Sequence, residues 1–313
     1  MPTVSIAIPV LNEERRLGSC LRAVAAQDYA SVVEVLVVDG GSTDRTREVA
    51  ARFDKVKILH NERRIRPAGL NVALQSASGK VFVRVDARTI LAADYVSRSV
   101  AALEQSGATV VGGPLRFSAS NARQRGIAAA MTSRLGAGPA AFRRQGGDPR
   151  FVDTVYLGVF WTEGLRELGG YDEVFGGNED AELNHRASRA GGVWLDPSII
   201  SSYAVREGYR PLFSQYRRYG LARAGTMRKH PASISPRQLA VPLLVAGVAS
   251  PWRKQVLVAY ATAVLGRAAV EAITDPAAAP VMAAALPTMH FGWAAGLAEA
   301  LVLRRDMTTH ASK

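Results

Sequence analysis

Four strand-like runs separated by helix-length segments fill the first ninety residues, and that alternation leaves few folds open. Val4–Val10, Glu34–Val38, Val56–His60 and Lys80–Asp86 are rich in β-branched and apolar residues. Such runs mark strands buried on both faces. A helix opened by Glu13 and Glu14 and running to about Gln27 puts Leu17, Cys20, Leu21 and Val24 on one face. A second helix fits Asp44 to Phe53, and a third runs from Arg66-Pro67-Ala68 to about Ser78. The order β-α-β-α-β-α-β predicts an α/β fold with a mostly parallel, Rossmann-like sheet and right-handed crossovers.

The pattern continues with a helix over Asp94–Gln105 and a strand over Ala108–Gly113. Residues 116–150, rich in Arg, Gly and Ala, are expected to form a mobile loop region with a short helix near 121–132. A strand at Thr154–Phe160, a helix at Asp180–Arg189 and a short strand at Ser198–Val205 follow. Gly208–Lys229 is basic and aromatic. Composition shifts near residue 236 to Ala, Val and Leu, with apolar stretches at about 239–250, 256–266 and 277–303. The first two are shorter than the ~20 residues a bilayer span needs. The third is interrupted by Pro280, Pro287, His290 and Glu299. The expected division is a catalytic domain over 1–230 and an Ala-rich helical tail over 231–313 that associates with a membrane or dimerises.

A hydrophobic content of 48% with 21% charged residues excludes a disordered chain. The single cysteine, Cys20, excludes an intrachain disulfide and a cysteine-built zinc site. A net charge of +12 calls for an anionic partner, either a phosphorylated substrate or an anionic membrane surface. No basic run is interleaved with aromatics, so nucleic acid is not expected. Strand-like residues begin at Val4 without a basic leader, so a cytoplasmic protein is expected, at the inner face of the cell membrane if the tail meets lipid.

Three acidic positions carry the chemistry. Asp86 closes the fourth strand run, and in open α/β sheets ligands bind beyond the carboxyl ends of the strands. It reads equally as a cation ligand or as a capping loop carboxylate. Asp39-Gly40-Gly41-Ser42-Thr43-Asp44 follows the second strand, either as a nucleotide-facing turn or as a plain βα connection. It lacks the Lys-Ser/Thr ending of a phosphate loop and the spacing of a dinucleotide fingerprint. Asp180 opens a helix beside a glycine-rich approach, where an ordinary N-cap carboxylate is the plain alternative to a functional one.

Together these pieces resemble the family-2 glycosyltransferases of the GT-A fold, over about residues 3–229. Ile8-Pro9-Val10-Leu11-Asn12-Glu13-Glu14 is similar to the family's first-strand motif, and Val37–Asp44 to its second. Gly176–Asp180, with Leu183 and Arg186, resembles the Glu-Asp motif. Gln215-Tyr216-Arg217-Arg218-Tyr219 resembles Gln-x-x-Arg-Trp, with Tyr219 in place of Trp. Arg84–Ala87, Val152–Tyr156 and Arg218–Arg223 bring the chain nearest the bacterial succinoglycan-biosynthesis ExoA-like group. One departure is that the usual Asp-x-Asp has become Asp86-Ala87-Arg88.

The resemblance implies inverting transfer of a sugar from a UDP- or GDP-type nucleoside diphosphate sugar to an acceptor hydroxyl. The setting it implies is bacterial polysaccharide, glycolipid or glycosylated-metabolite biosynthesis, with a lipid-linked acceptor among the options and a homodimer as a further partner. Asp180, with Glu179, is the implied catalytic pair. Pro9, Asn12, Glu13, Asp39, Asn71, Asp86, Arg217 and Arg218 are implied on the nucleotide and donor side, and Gly112 and Gly113 on the acceptor side. Asp86 is the implied ligand of Mg²⁺ or Mn²⁺, or Arg88 supplies positive charge in the metal's place. The competing readings are a non-catalytic nucleotide- or lipid-binding module of the same fold and a nucleotidyltransferase. The second would want a basic Gly-rich signature where Asn12-Glu13-Glu14 stands.

Overall fold

The computed structural model describes residues 1–137, 142, 146–175, 178–234 and 236–303. In chain order the elements are β1 (Val4–Val10), α1 (Leu17–Ala25), β2 (Val32–Asp39), α2 (Thr46–Ala50), β3 (Val56–His60), α3 (Arg66–Ser76), β4 (Val81–Arg84), β5 (Thr89–Leu91), α4 (Tyr95–Ser106) and β6 (Val110–Gly113). There follow β7 (Leu115–Ser118), α5 (Ala122–Thr132), α6 (Arg134–Ala137), β8 (Arg150–Val152), β9 (Tyr156–Trp161), α7 (Thr162–Glu167), α8 (Glu179–Ala190), β10 (Val193–Leu195) and β11 (Ser201–Ala204). The chain ends in α9 (Tyr209–Lys229), α10 (Pro236–Val248), α11 (Arg253–Thr274) and α12 (Ala279–Leu303).

Two compact units result. The first takes Met1–Arg116 and Arg144–Tyr203, and the second Phe117–Arg143 and Ala204–Thr309. The first holds an eight-stranded sheet in the order β3-β2-β1-β4-β9-β6-β10-β8. The expected parallel core is there: β1 pairs in parallel with β2 and β4, and β2 with β3. The sheet is nevertheless mixed, because β9 enters antiparallel between β4 and β6, and β8 lies antiparallel on β10. Nothing local marks this insertion, since β9 pairs with strands far away in sequence. Ile6, Ile8, Leu17, Leu21, Val37, Val83, Val96, Leu103, Val111 and Val159 form the core of this unit. Burying each such side chain contributes about 1.5–3 kcal/mol.

The amino end of the sheet is tied by one carboxylate. Glu34 is buried and accepts from Ser5 Oγ, the Ser78 backbone N–H, Ser78 Oγ and Lys57 Nζ, all at 2.6–2.7 Å. Those bonds join β1, β2, β3 and the turn before β4.

The second unit is helical. Ile127, Met131, Leu212, Tyr216, Val264, Met282, Leu286 and Met289 form its core. The short helix expected near 121–132 is α5, and within a stretch otherwise expected as mobile loop it contributes Ile127 and Met131 to a core. Residues 138–141 and 143–145 lie outside the described residues. α9 and α12 meet backbone to backbone. A Cβ on Gly296 would lie 1.9 Å from the Arg217 carbonyl oxygen, and one on Gly220 2.0 Å from that of Trp293. Only glycine allows that approach. The three apolar stretches become α10, α11 and α12, and α11 and α12 are each long and apolar enough to cross a membrane. The stretch read as ending at 266 runs on to Thr274, because Arg267 and Glu271 pair with each other one turn apart at 2.9 Å.

Candidate active site

The loops after β1 and β2 are laced together. Asn12 adopts a left-handed backbone (φ 53°) and its Oδ1 accepts from the Thr43 N–H at 2.9 Å. Its own N–H donates to Ser42 Oγ at 2.9 Å. The N–H groups of Glu13 and Glu14 donate to Thr46 Oγ1 and Asp44 Oδ2 at 2.8 and 3.1 Å. The helix expected from Glu13 starts only at Leu17 because this lacing holds Glu13–Arg16 in a turn. Asp39 is buried at the carboxyl end of β2, where its Oδ1 accepts from Ser42 Oγ at 2.6 Å. Pro9 lies within β1, in register with Val38.

Asp86 stands two residues beyond β4, in the turn closed by the Thr89 N–H to the Asp86 carbonyl at 2.9 Å. Its side chain is 23% exposed. Arg84, 2% exposed, reaches Asp86 Oδ1 with Nε and Nη2 at 3.3 and 3.2 Å. Burial pushes the Asp86 carboxyl up, but the guanidiniums of Arg84 and Arg66 outweigh it and hold the carboxyl below its ordinary range. Arg88, which occupies the second position of the usual acidic pair, donates from Nε to Glu13 Oε1 at 2.8 Å.

Glu179 and Asp180 open α8 after Asn178, which is left-handed at φ 64°. Gly176 and Gly177 lie outside the described residues. Glu179 is fully buried, and its Oε1 accepts from Arg84 Nη2 at 2.9 Å and from Arg66 Nη1 at 3.1 Å. Burial pushes the Glu179 carboxyl up, but the guanidiniums of Arg66 and Arg84 outweigh it and hold the carboxyl below its ordinary range. Asp180 is half-buried, and its Oδ1 accepts the Ala181 N–H at 2.8 Å. Burial, and then the charge on Glu179, push its carboxyl above the ordinary value. Two adjacent carboxyls are thus driven apart, which is how acid–base roles are divided.

One guanidinium, that of Arg84, therefore joins Asp86 to the Glu179–Asp180 pair. Sequence reading missed it, along with Arg66. The available signal was a charged residue inside the otherwise apolar run Val81–Val85. Other predicted residues take supporting positions. Asn71 donates to the Tyr171 carbonyl and Glu173 Oε1 and accepts the Tyr171 N–H, all at 2.8 Å, so its amide fixes the segment before α8. A Cβ on Gly113 would fall 1.6 Å from the Ile199 carbonyl oxygen, and one on Gly112 2.9 Å from Val155 Cβ. Both are glycines for packing reasons. Arg217 and Arg218 lie on α9 in the second unit, where Arg217 Nε donates to Glu299 Oε2 at 2.8 Å.

The residues fit a divalent cation only as a partial site. Asp86 Oδ2 carries no hydrogen bond, but no group of three or more metal-ligating His, Cys, Asp or Glu side chains forms among the described residues. Any further ligands have to be substrate oxygens or water.

A sequence model described as glycosyl transferase family 2 matches residues 5–156. The succinoglycan biosynthesis protein ExoA of Rhizobium meliloti (strain 1021) is 33% identical over 93% of this chain and 92% of its own. The chain belongs to glycosyltransferase family 2. It is a glycosyltransferase, similar to the ExoA-like members of that family. Another relative, from Methanococcus voltae, is named a dolichyl N-acetyl-alpha-D-glucosaminyl phosphate 3-beta-D-2,3-diacetamido-2,3-dideoxy-beta-D-glucuronosyltransferase. It is 27% identical over 73% of this chain and 75% of its own. Among solved structures, the mannosyltransferase PcManGT of Pyrobaculum calidifontis, in complex with GDP-Man and Mn²⁺, superimposes with a TM-score of 0.63. It is 20% identical, over 97% of this chain and 88% of its own, and shares the GT-A fold.

Proposed function

We propose that this family-2 enzyme transfers a sugar, with inversion, from a UDP- or GDP-type nucleoside diphosphate sugar to an acceptor hydroxyl, with Asp180 as the base. The observation that carries the reading is the unequal treatment of three carboxylates. Asp86 and Glu179 are each paired with arginine, while Asp180 makes no ion pair among the described residues and its carboxyl is pushed up. In the transfer, the acceptor oxygen bonds to the anomeric carbon as the bond from that carbon to the diphosphate oxygen breaks. The proton leaves the acceptor hydroxyl for Asp180 Oδ2, since Oδ1 is occupied by the Ala181 N–H. The electron pair of the broken bond stays on the diphosphate, whose charge must be compensated. Asp86 is the residue that would hold Mg²⁺ or Mn²⁺, which as a Lewis acid neutralises that charge.

The ExoA relative supports polysaccharide, glycolipid or glycosylated-metabolite synthesis as the setting, and the dolichyl phosphate named for the M. voltae relative supports a lipid-linked acceptor. We assign catalysis to 1–230, and to 231–313 attachment at the inner face of the cell membrane, in keeping with the apolar lengths of α11 and α12. The test is release of nucleoside diphosphate from a panel of donors, repeated with Asp180→Asn. A base supplies typically ~10²–10⁴-fold in rate, so the variant is expected to lose that much while still binding donor. Turnover near wild type in Asp180→Asn would remove Asp180 from the role. A panel in which no donor is consumed would favour a non-catalytic binding module.

A further inference from the structure

β4 is buried and apolar except for Arg84, two residues ahead of Asp86. Its guanidinium touches Asp86 Oδ1 with two nitrogens and continues to Glu179, where Arg66 adds a second positive group. Arginine keeps its proton in proteins, so Asp86 meets any incoming cation already paired. The neighbouring position offers no help, because Arg88 replaces a carboxylate and is itself bonded to Glu13. What remains for a metal is one free oxygen, Asp86 Oδ2, close to a fixed positive charge. Hard divalent cations take six or more oxygen ligands, preferably anionic. Even with the screening of bulk water, a unit positive charge about 5 Å from a divalent ion weakens its binding by roughly tenfold. A diphosphate reverses the balance, since it brings several negative oxygens of its own.

We propose that Arg84 makes metal binding conditional. The site takes Mg²⁺ or Mn²⁺ only together with the diphosphate of the nucleotide, and Arg84 is the positioning residue that keeps the ion from binding alone. This rests on reading Asp86 as the cation's protein ligand. The metal then enters with the donor and leaves with the nucleoside diphosphate, so no resident ion retains the product.

The test uses the full chain and Mn²⁺, with protein-bound metal measured by equilibrium dialysis in the absence of nucleotide and with UDP or GDP present. For the wild type, affinity is expected to rise at least ~10-fold with one of the two nucleotides. Arg84→Met should bind Mn²⁺ without nucleotide at least ~10-fold more tightly than wild type, whereas Arg84→Lys, which keeps the charge, should stay weak. Equal wild-type affinity with and without both nucleotides overturns the proposal. So does an Arg84→Met protein with a native melt and no gain in nucleotide-free affinity. If Arg84→Met does not fold, the wild-type comparison and Arg84→Lys decide: tight nucleotide-free binding in either refutes it. Adding Asp86→Asn to Arg84→Met should abolish the gain. Persistence there would place the ion away from Asp86 and so refute the ligand assignment itself, while a failed donor panel leaves the nucleotide-free result standing.

Discussion

Glu34 gives a stability prediction with a sign and a size. Burial alone would raise its carboxyl, yet the hydrogen bonds from Lys57, Ser78 and Ser5 bring it from 4.5 down to about 2. A carboxyl lowered that far contributes ~3 kcal/mol to folding at neutral pH. Lys57 is largely exposed, so solvent screening trims the figure to ~2–3 kcal/mol. Because the folded value lies below the unfolded one, this stability is fully present above about pH 4.5 and is lost as pH falls toward about 2. Glu34→Gln keeps the shape and removes the charge. In urea unfolding it should cost ~2–3 kcal/mol at neutral pH, and the gap from wild type should narrow by ~1 kcal/mol by about pH 3.5. Equal stabilities at neutral pH would refute the reasoning. So would a gap of constant size across the acid range, since a purely steric defect would give that result.

Two further outcomes follow from the same geometry. Glu179→Gln removes a charge that raises the Asp180 carboxyl and frees Arg84 to face Asp180 more strongly. The acid limb of kcat/KM against pH should therefore move to lower pH, and a limb that stays or rises would show that Glu179 does not set the base. Gly296→Ala places a Cβ where the Arg217 carbonyl oxygen stands, so the α9–α12 contact must open. Overpacking of this kind costs ~1–3 kcal/mol, read as a lowered melting temperature, and an unchanged melt would show that the helices accommodate the methyl group.

Much of the fold was legible because its strands are rich in β-branched and apolar residues. Val4–Val10 and Val56–His60 have the expected ends, since turn residues bound them. Legibility failed where the determinants are non-local. β9 has an ordinary strand composition, and only pairing with β4 and β6 makes it antiparallel. In the stretch 116–150 the helix near 121–132 was legible and is α5, but its place in a core was not, because it packs through small residues that leave little apolar period to read. The site was partly legible for a related reason. Asp86, Glu179 and Asp180 stand at element ends, where sequence motifs are visible, and the structure brings them together. Arg84 and Arg66 are far from α8 in sequence, and only the fold shows that both reach Glu179.

A buried arginine on a core strand is a conflict between local pattern and burial, and such conflicts persist where the site needs them. A Leu or Met at position 84 would suit the core of β4 and free Asp86 for a metal. It would also leave the fully buried Glu179 with Arg66 as its one arginine. An ionised carboxylate in that setting is costlier to keep with one cation beside it than with two. The same guanidinium thus touches Asp86, the carboxylate proposed for the cation, on one side and Glu179, the neighbour of the proposed base, on the other. Charge compensation for the diphosphate and proton abstraction from the acceptor are separate tasks on opposite sides of the bond that breaks. On the proposed assignments, Arg84 links them through hydrogen bonds to Asp86 and Glu179, so the two tasks are expected to change together when it is replaced.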